Sequence, residues 1–269
     1  MLNLKDINYS YNKRDKVLDC ITVEIHEGEI VAIAGRNGSG KTTLTRIIMG
    51  IMNVDSGFMQ LDGNDITKAI PADMAKYIGY VFQNPDRQLF ANSVFKEVAY
   101  APKQLGFSKK EIDASVKKAL DATGLTGLEQ HSPQMLSRGL KQRLAIASAL
   151  AIKPKILILD EPTTGQDCRE RTILLRLMRK FNLEGMTIIL VTHDMDIIAE
   201  HAHKVVVLEK GLLKFHGTPL ELFSNEELTV SLGLELPEAV HVGKEYNLGI
   251  CLTPREIYKK LKERNHAHV

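Results

Sequence analysis

Long apolar runs are missing from this chain. Its most apolar stretches, residues 30–35 and 187–191, fall far short of the roughly 20 residues that a membrane-crossing helix needs. No positively charged, apolar, small-residue leader opens it either, so any link to a membrane is expected to run through a partner. Cysteine is scarce. Cys20, Cys168 and Cys251 are odd in number, far apart and without a C-x-x-C pair, which argues against a disulfide frame or a thiolate zinc site and points to a reducing compartment. One-sided charge is absent too: 35 Lys and Arg against 33 Asp and Glu leave +2, too little to argue for nucleic acid. Internal repeats and low-complexity tracts are also lacking. What remains, 269 residues with 44% hydrophobic and 25% charged, is ordinary globular composition, long enough for one or two domains with a substantial core.

What the chain does have is concentrated in residues 29–43, which read E-I-V-A-I-A-G-R-N-G-S-G-K-T-T. An apolar run stops at a glycine-rich loop, and a Lys-Thr-Thr triplet opens onto Leu44, Ile47 and Ile48. This is strand, loop, helix, and residues 35–42 fit G-x-x-x-x-G-K-[ST]. Gly35, Gly38 and Gly40 carry no Cβ, so the backbone can curl around an anion with its N–H groups inward. The following helix adds its free N–H groups and the positive end of its dipole, roughly half a charge. Lys41 supplies a full charge for the β- and γ-phosphates, and the Thr42 hydroxyl is suited to Mg²⁺. Asn37, Ser39 and Thr43 complete the expected nucleotide-binding set.

Along the chain, residues 2–9 and 17–25 read as half-buried strands, joined by polar turn material at 12–15. Asn12-Lys13-x-Asp15 matches the N-K-x-D motif that reads guanine, but it precedes the loop and no apolar strand feeds it, so a solvated hairpin is expected. Strands follow at 58–61 and 77–82. Ser108 and Glu111 form a capping box, Ile112, Val116, Ala119 and Leu120 keep helical spacing, and Gly124 closes the helix. Residues 84–151 therefore read as a mostly helical insertion. β character returns at 155–160, 187–191 and 204–208, separated by helices capped at Asp167 and Asp194, which argues for a mainly parallel sheet. From Thr218 the texture changes to short helices, read as a small appended domain; its last helix keeps Tyr258 and Leu261 at apolar spacing and exposes Lys259, Lys260, Lys262 and Arg264.

Residues 155–160 end in acid, where phosphate-loop ATPases place the Mg²⁺-ordering carboxylate; that is Asp160. The adjacent Glu161 is suited to polarise an attacking water as general base. With these motifs in place, residues 1–217 resemble the ATPase subunits of ABC transporters. The resemblance implies an α/β fold: a RecA-like phosphate-loop NTPase core with an antiparallel β subdomain, a helical subdomain at about 84–151 and a C-terminal extension at 218–269. It implies that Tyr11 stacks on adenine and that Gln83 is the glutamine reaching Mg²⁺, the attacking water and the membrane partner. It also implies that residues 163–167 are the D-loop and that His193 in V-T-H-D contacts the γ-phosphate. ATP and Mg²⁺ are the implied cofactors.

The run V-F-Q-N-P-D-R-Q-L-F at 81–90 and D-E-P-T-T-G-Q-D at 160–167 look like the energy-coupling factor (ECF) subgroup, which powers uptake of vitamins, cobalt or nickel. The extension resembles the segment that helps hold two such subunits together. The family signature L-S-G-G-Q stands here as Leu136-Ser137-Arg138-Gly139-Leu140, keeping Ser137 and Gly139 for the partner's nucleotide but changing two positions. That departure favours an asymmetric heterodimer over a homodimer. The implied partners are a second ATPase subunit, an integral membrane coupling protein and a substrate-binding membrane subunit, with no nucleic acid and with placement on the cytoplasmic face of the membrane. Soluble ABC ATPases of DNA repair or translation usually carry a coiled-coil insertion or two halves in one chain, and neither pattern is present. The complete loop, acid, base and histidine argue against a catalytically weak regulatory subunit, and the ECF-like extension argues against an exporter subunit.

Overall fold

The structure is a computed structural model that describes residues 1–12 and 15–266. Lys13 and Arg14 of the N-K-x-D run lie outside the described residues, while Asn12 and Asp15 on either side bond to one another. β1 (Leu2–Ser10) and β2 (Lys16–Ile25) pair antiparallel. Together with β4 (Ser56–Leu61) and β5 (Asn64–Asp65) they make a four-stranded antiparallel sheet in the order β2-β1-β4-β5. Between the two halves of this sheet run β3 (Ile30–Ala34) and α1 (Lys41–Ile48). The short α2 (Pro71–Met74) and β6 (Ile78–Val81) follow.

The expected helical insertion consists of α3 (Val94–Gln104), α4 (Lys109–Thr123) and α5 (Arg138–Leu150). α4 carries the reciprocal Ser108–Glu111 capping box and ends at Gly124 in the left-handed region. The chain then alternates β7 (Ile156–Asp160), α6 (Cys168–Leu183), β8 (Thr187–Val191), α7 (Met195–His201), β9 (Lys204–Glu209) and β10 (Leu212–Gly217). A second, six-stranded sheet has the order β10-β9-β3-β8-β7-β6, parallel except for β10. β3, β7 and β8 are buried at every position because both sheet faces are covered, and so they read in the sequence as unbroken apolar runs.

Ile30 joins the core beneath the helical segment, and from Val31 onward alternation along β3 distributes its side chains between two further cores. Val31 and Ile33 pack with α1 and the antiparallel sheet, including Leu44, Ile47, Leu4 and Met59. Ala32 and Ala34 pack with α7 and with the C-terminal segment, which contains α8 (Pro219–Ser224), α9 (Glu226–Ser231), α10 (Glu238–Glu245) and α11 (Pro254–His266). The small appended domain expected from 218 shares a core with the sheet: Leu222, Phe223, Leu232, Leu234, Leu236 and Val240 bury against Ala32, Val205 and Ile198. The expected pattern of α11 also shifts. Tyr258 and Leu261 are exposed, and Lys260 instead turns inward to donate to the Leu248 and Ile250 carbonyls at 2.9 and 2.8 Å. Arg264 caps the Tyr246 carbonyl, so only part of the basic face is free. Among the described residues no helix is long and apolar enough to cross a membrane.

Candidate nucleotide site

The loop between β3 and α1 lies at the carboxyl end of a parallel strand, next to β8 and β9, where open α/β sheets bind ligands. Gly40, the N-cap of α1, is left-handed with φ 106° and offers no side-chain cap, so the first N–H groups of the helix remain free. Two glycines of the loop are required by the protein's own packing as well as by ligand approach. A Cβ on Gly35 (φ 137°) would lie 2.1 Å from the Leu208 carbonyl oxygen of β9, and one on Gly40 would lie 2.6 Å from Leu18 Cδ2. Around Gly38 the space is open and only its φ of 78° favours glycine. The loop is pinned from below by Gly211 N–H donating to Ser39 O at 3.1 Å.

Lys41 is buried and curls back, donating to the Gly35 and Arg36 carbonyls at 2.7 and 3.0 Å. Burial lowers its pKa, and the nearby Glu161 and Asp160 carboxylates oppose that shift. The Ser39 hydroxyl is buried without a hydrogen-bond partner. Thr42 is exposed toward the cleft, and Thr43 is buried, its Oγ1 3.1 Å from Tyr11 Oη. The Tyr11 ring is 59% exposed and braced edge-on by Tyr9, with centroids 5.3 Å apart, so an aromatic face remains available for stacking.

Across the cleft, Asp160 Oδ2 accepts from the Tyr80 hydroxyl at 2.9 Å, and that hydroxyl is also 3.1 Å from Thr45 Oγ1. Burial raises the pKa of Asp160 and, more strongly, that of the Tyr80 phenol. Glu161 sits one residue past β7 with φ 45°, a left-handed conformation that a non-glycine residue keeps only when its surroundings hold it. Its N–H donates to Val191 O at 2.9 Å. Its Oε2 accepts from Gln83 Nε2 at 2.7 Å and Thr164 Oγ1 at 3.2 Å, and its Oε1 is 3.5 Å from His193 Nδ1. Gln83, Glu161 and His193, distant in the chain, thus meet on one wall of a cleft of ≈ 930 Å³.

The cleft is lined by Tyr11, Gly35, Asn37, Gly38, Gly40, Lys41, Thr42, Thr43, Gln83, Glu161 and His193, all expected from the sequence, with Ser39 buried in the loop and Asp160 behind it. Ser137 and Gly139 do not line it. They start α5, where Ser137 Oγ accepts from Leu140 N–H at 3.3 Å and Gly139 leaves room for the Glu170 side chain. Val17, Arg36 and Met195 also line the cleft, as does the strap Gly233-Leu234-Glu235, whose Gly233 packs on the Arg36 guanidinium; sequence reasoning misses all of these. Tyr80 is legible in the sequence only as a strand residue, and no local pattern marks the strap.

The donor chemistry fits Mg²⁺ and a polyphosphate. Among the described residues no group of three or more His, Cys, Asp or Glu could cage an ion. Mg²⁺ usually keeps several waters and takes one or two protein oxygens beside the substrate phosphates, and Thr42, Asp160 and Gln83 offer hard oxygen donors of that kind. The partnerless Ser39 hydroxyl and the cation folded onto two loop carbonyls are groups that an anion in the loop would engage.

A phosphate loop opening a helix, with an acid-ended strand one place beyond the adjacent β8 and a second carboxylate after it, defines a phosphate-loop ATPase. The sequence model of the ABC transporter family matches residues 18–164. A putative ABC transporter ATP-binding protein of Caldanaerobacter subterraneus is 41% identical over 240 residues, covering 89% of this chain; the chain spans only 42% of that relative's length. The energy-coupling factor transporter ATP-binding protein EcfA of Methanococcus maripaludis is 40% identical over 272 residues and 98% of both chains. The solved structure of cbiO1 from Clostridium perfringens, described as part of the ABC transporter complex cbiONQ, superposes with a TM-score of 0.78 at 36% identity, covering 90% of this chain and 98% of that one. The chain belongs to the ABC transporter family of ATP-binding ATPases. Within that family it is similar to the energy-coupling factor subunits along almost its whole length.

Proposed function

We propose that this chain is the ATP-hydrolysing subunit of an ECF-type importer for a vitamin or a transition-metal ion such as cobalt or nickel. The observation that carries the hydrolytic part is the convergence of Gln83, Thr164 and His193 on Glu161, facing the phosphate loop. Lys41, the α1 N-terminus and the loop N–H groups hold the triphosphate; Tyr11 stacks on the base. Thr42, Asp160 and Gln83 would hold Mg²⁺, which when bound neutralises phosphate charge. Glu161, aimed by its three neighbours, takes the proton from the attacking water, and His193 holds the γ-phosphate.

Ser137 and Gly139 lie outside their own chain's cleft and are suited to a nucleotide on a second subunit. Two nucleotides then join two ATPase subunits face to face, each charge-assisted bond contributing roughly 1.5–3 kcal/mol. The altered L-S-R-G-L supports a non-identical second subunit, with the 218–269 segment assisting the pairing. A membrane coupling protein docked near Gln83 and the helical subdomain follows opening and closing from the cytoplasmic face, and a membrane subunit carries the substrate. Tagging the chain in its own host and identifying co-purifying proteins tests this reading. Integral membrane proteins and a second ATPase are expected; ribosomes or DNA would overturn the transport assignment.

A further inference from the structure

Arg138 stands where the family signature has glycine, and the structure gives its side chain a definite job within its own chain. Arg138 Nη2 donates to the Thr164 carbonyl at 2.9 Å. The guanidinium lies flat on Gly165, where an added Cβ would be 2.6 Å from Cζ and from both terminal nitrogens. Gly165, with φ 71°, provides both the turn and the clearance. Thr164 in turn holds Glu161 twice, through Oγ1 to Oε2 at 3.2 Å and through its N–H to the Glu161 carbonyl at 3.2 Å. A second fastening runs alongside: Glu170 fits against Gly139 and meets Arg143 of α5 at 3.4 Å. The start of α5 is therefore tied to the turn that carries the left-handed Glu161, a conformation that needs support from its neighbours.

We infer that Arg138 is a positioning residue for Glu161, acting through Thr164. A guanidinium–carbonyl bond is charge-assisted and directional, so it fixes residues 161–165 more firmly than a glycine at 138 could. The inference rests on the hydrolytic role proposed for Glu161. It adds a link between the two nucleotides of a dimer, because the same α5 end faces the partner's nucleotide. A phosphate arriving there competes with Thr164 O for Arg138 and loosens the base of this chain's own site.

Two measurements test it. Hydrogen exchange of peptides covering 161–167 in the full nucleotide-free chain should rise about tenfold in Arg138→Ala, the loss of one bond to a charged donor, and be largely restored in Arg138→Lys. Unchanged exchange would overturn the inference. In the assembled complex, Arg138→Ala and Thr164→Val should each lower kcat about tenfold at unchanged KM, and the double variant should fall no further than the worse single one. A hundredfold additive loss would mean that Arg138 does not act through the Thr164 hydroxyl. If the wild-type complex does not hydrolyse ATP, the hydrolytic reading fails, while the exchange measurement still decides whether Arg138 holds the turn. Should Arg138→Ala not fold, Arg138→Gln removes the charge and keeps most of the stem.

Discussion

Helices α1 and α5 each carry a glycine at or within their first turn, and they are finished differently. α1 starts at left-handed Gly40, has no side-chain cap, and leaves its N–H groups beside an unpartnered Ser39 hydroxyl and a lysine folded onto loop carbonyls. α5 starts at Ser137, whose own hydroxyl caps Leu140 N–H, and its first cationic side chain is already engaged by Thr164. Both ends carry the same dipole, roughly half a positive charge. The first is open to an anion; the second is closed on its own chain. In this chain the helix end that is open to an anion is the one from which the sequence withholds a side-chain cap.

The contrast is tested most strongly by removing chemistry while keeping the open end. Glu161→Gln should lower ATP turnover about a thousandfold, within the usual range for a lost general base, with nucleotide affinity unchanged in a fluorescent-ATP titration. Normal hydrolysis by that variant would remove Glu161 from its role. Lys41→Ala empties the open end of its charge, and ATP affinity should fall about a hundredfold, the loss of a pair of charged hydrogen bonds. If affinity holds, the loop is not the phosphate cradle.

Ser137→Ala strips the cap from the second end. It should cost about 1 kcal/mol of stability, read as a drop of a few degrees in Tm, and leave the chain's own ATP affinity alone. A large fall in affinity would place Ser137 in the same cleft as Lys41, against the geometry. The smallest effect lies outside both ends. His201, in the last turn of α7, has its pKa lowered by burial below its ordinary 6.5. The folded protein therefore binds a proton there less readily than the unfolded chain, so the stability held above pH 6.5 is lost as pH falls through that value toward the folded pKa. Tm should decline as pH falls through that range, and less steeply in His201→Gln.

Much of the open end was legible in the sequence because its signals are local. The glycines, Lys41 and Thr42 are close neighbours in the chain, and the strands β3, β7 and β8 are unbroken apolar runs because both of their faces are buried. The Ser108–Glu111 box and the left-handed Gly124 marked α4 for the same reason. What escaped depends on distance in the chain. The Tyr80–Asp160 bond joins residues 80 apart, and Arg138 meets Thr164 across 26. The strap at 233–235 reaches the cleft only because Leu232, Leu234 and Leu236 share a core with β3, which no period in the sequence reveals. Glu161 carries its positive φ without a glycine to announce it.

If the open end is half of a nucleotide site, it needs a signature from a second subunit before it turns over. ATP turnover per chain, measured on the purified protein from nanomolar to micromolar concentration and again with the co-purifying ATPase subunit added, tests this most directly. Turnover should be negligible when the chain is dilute and alone, rising with association and most strongly with the added subunit. Full turnover at nanomolar concentration, independent of dilution and unchanged by the second subunit, would contradict the half-site.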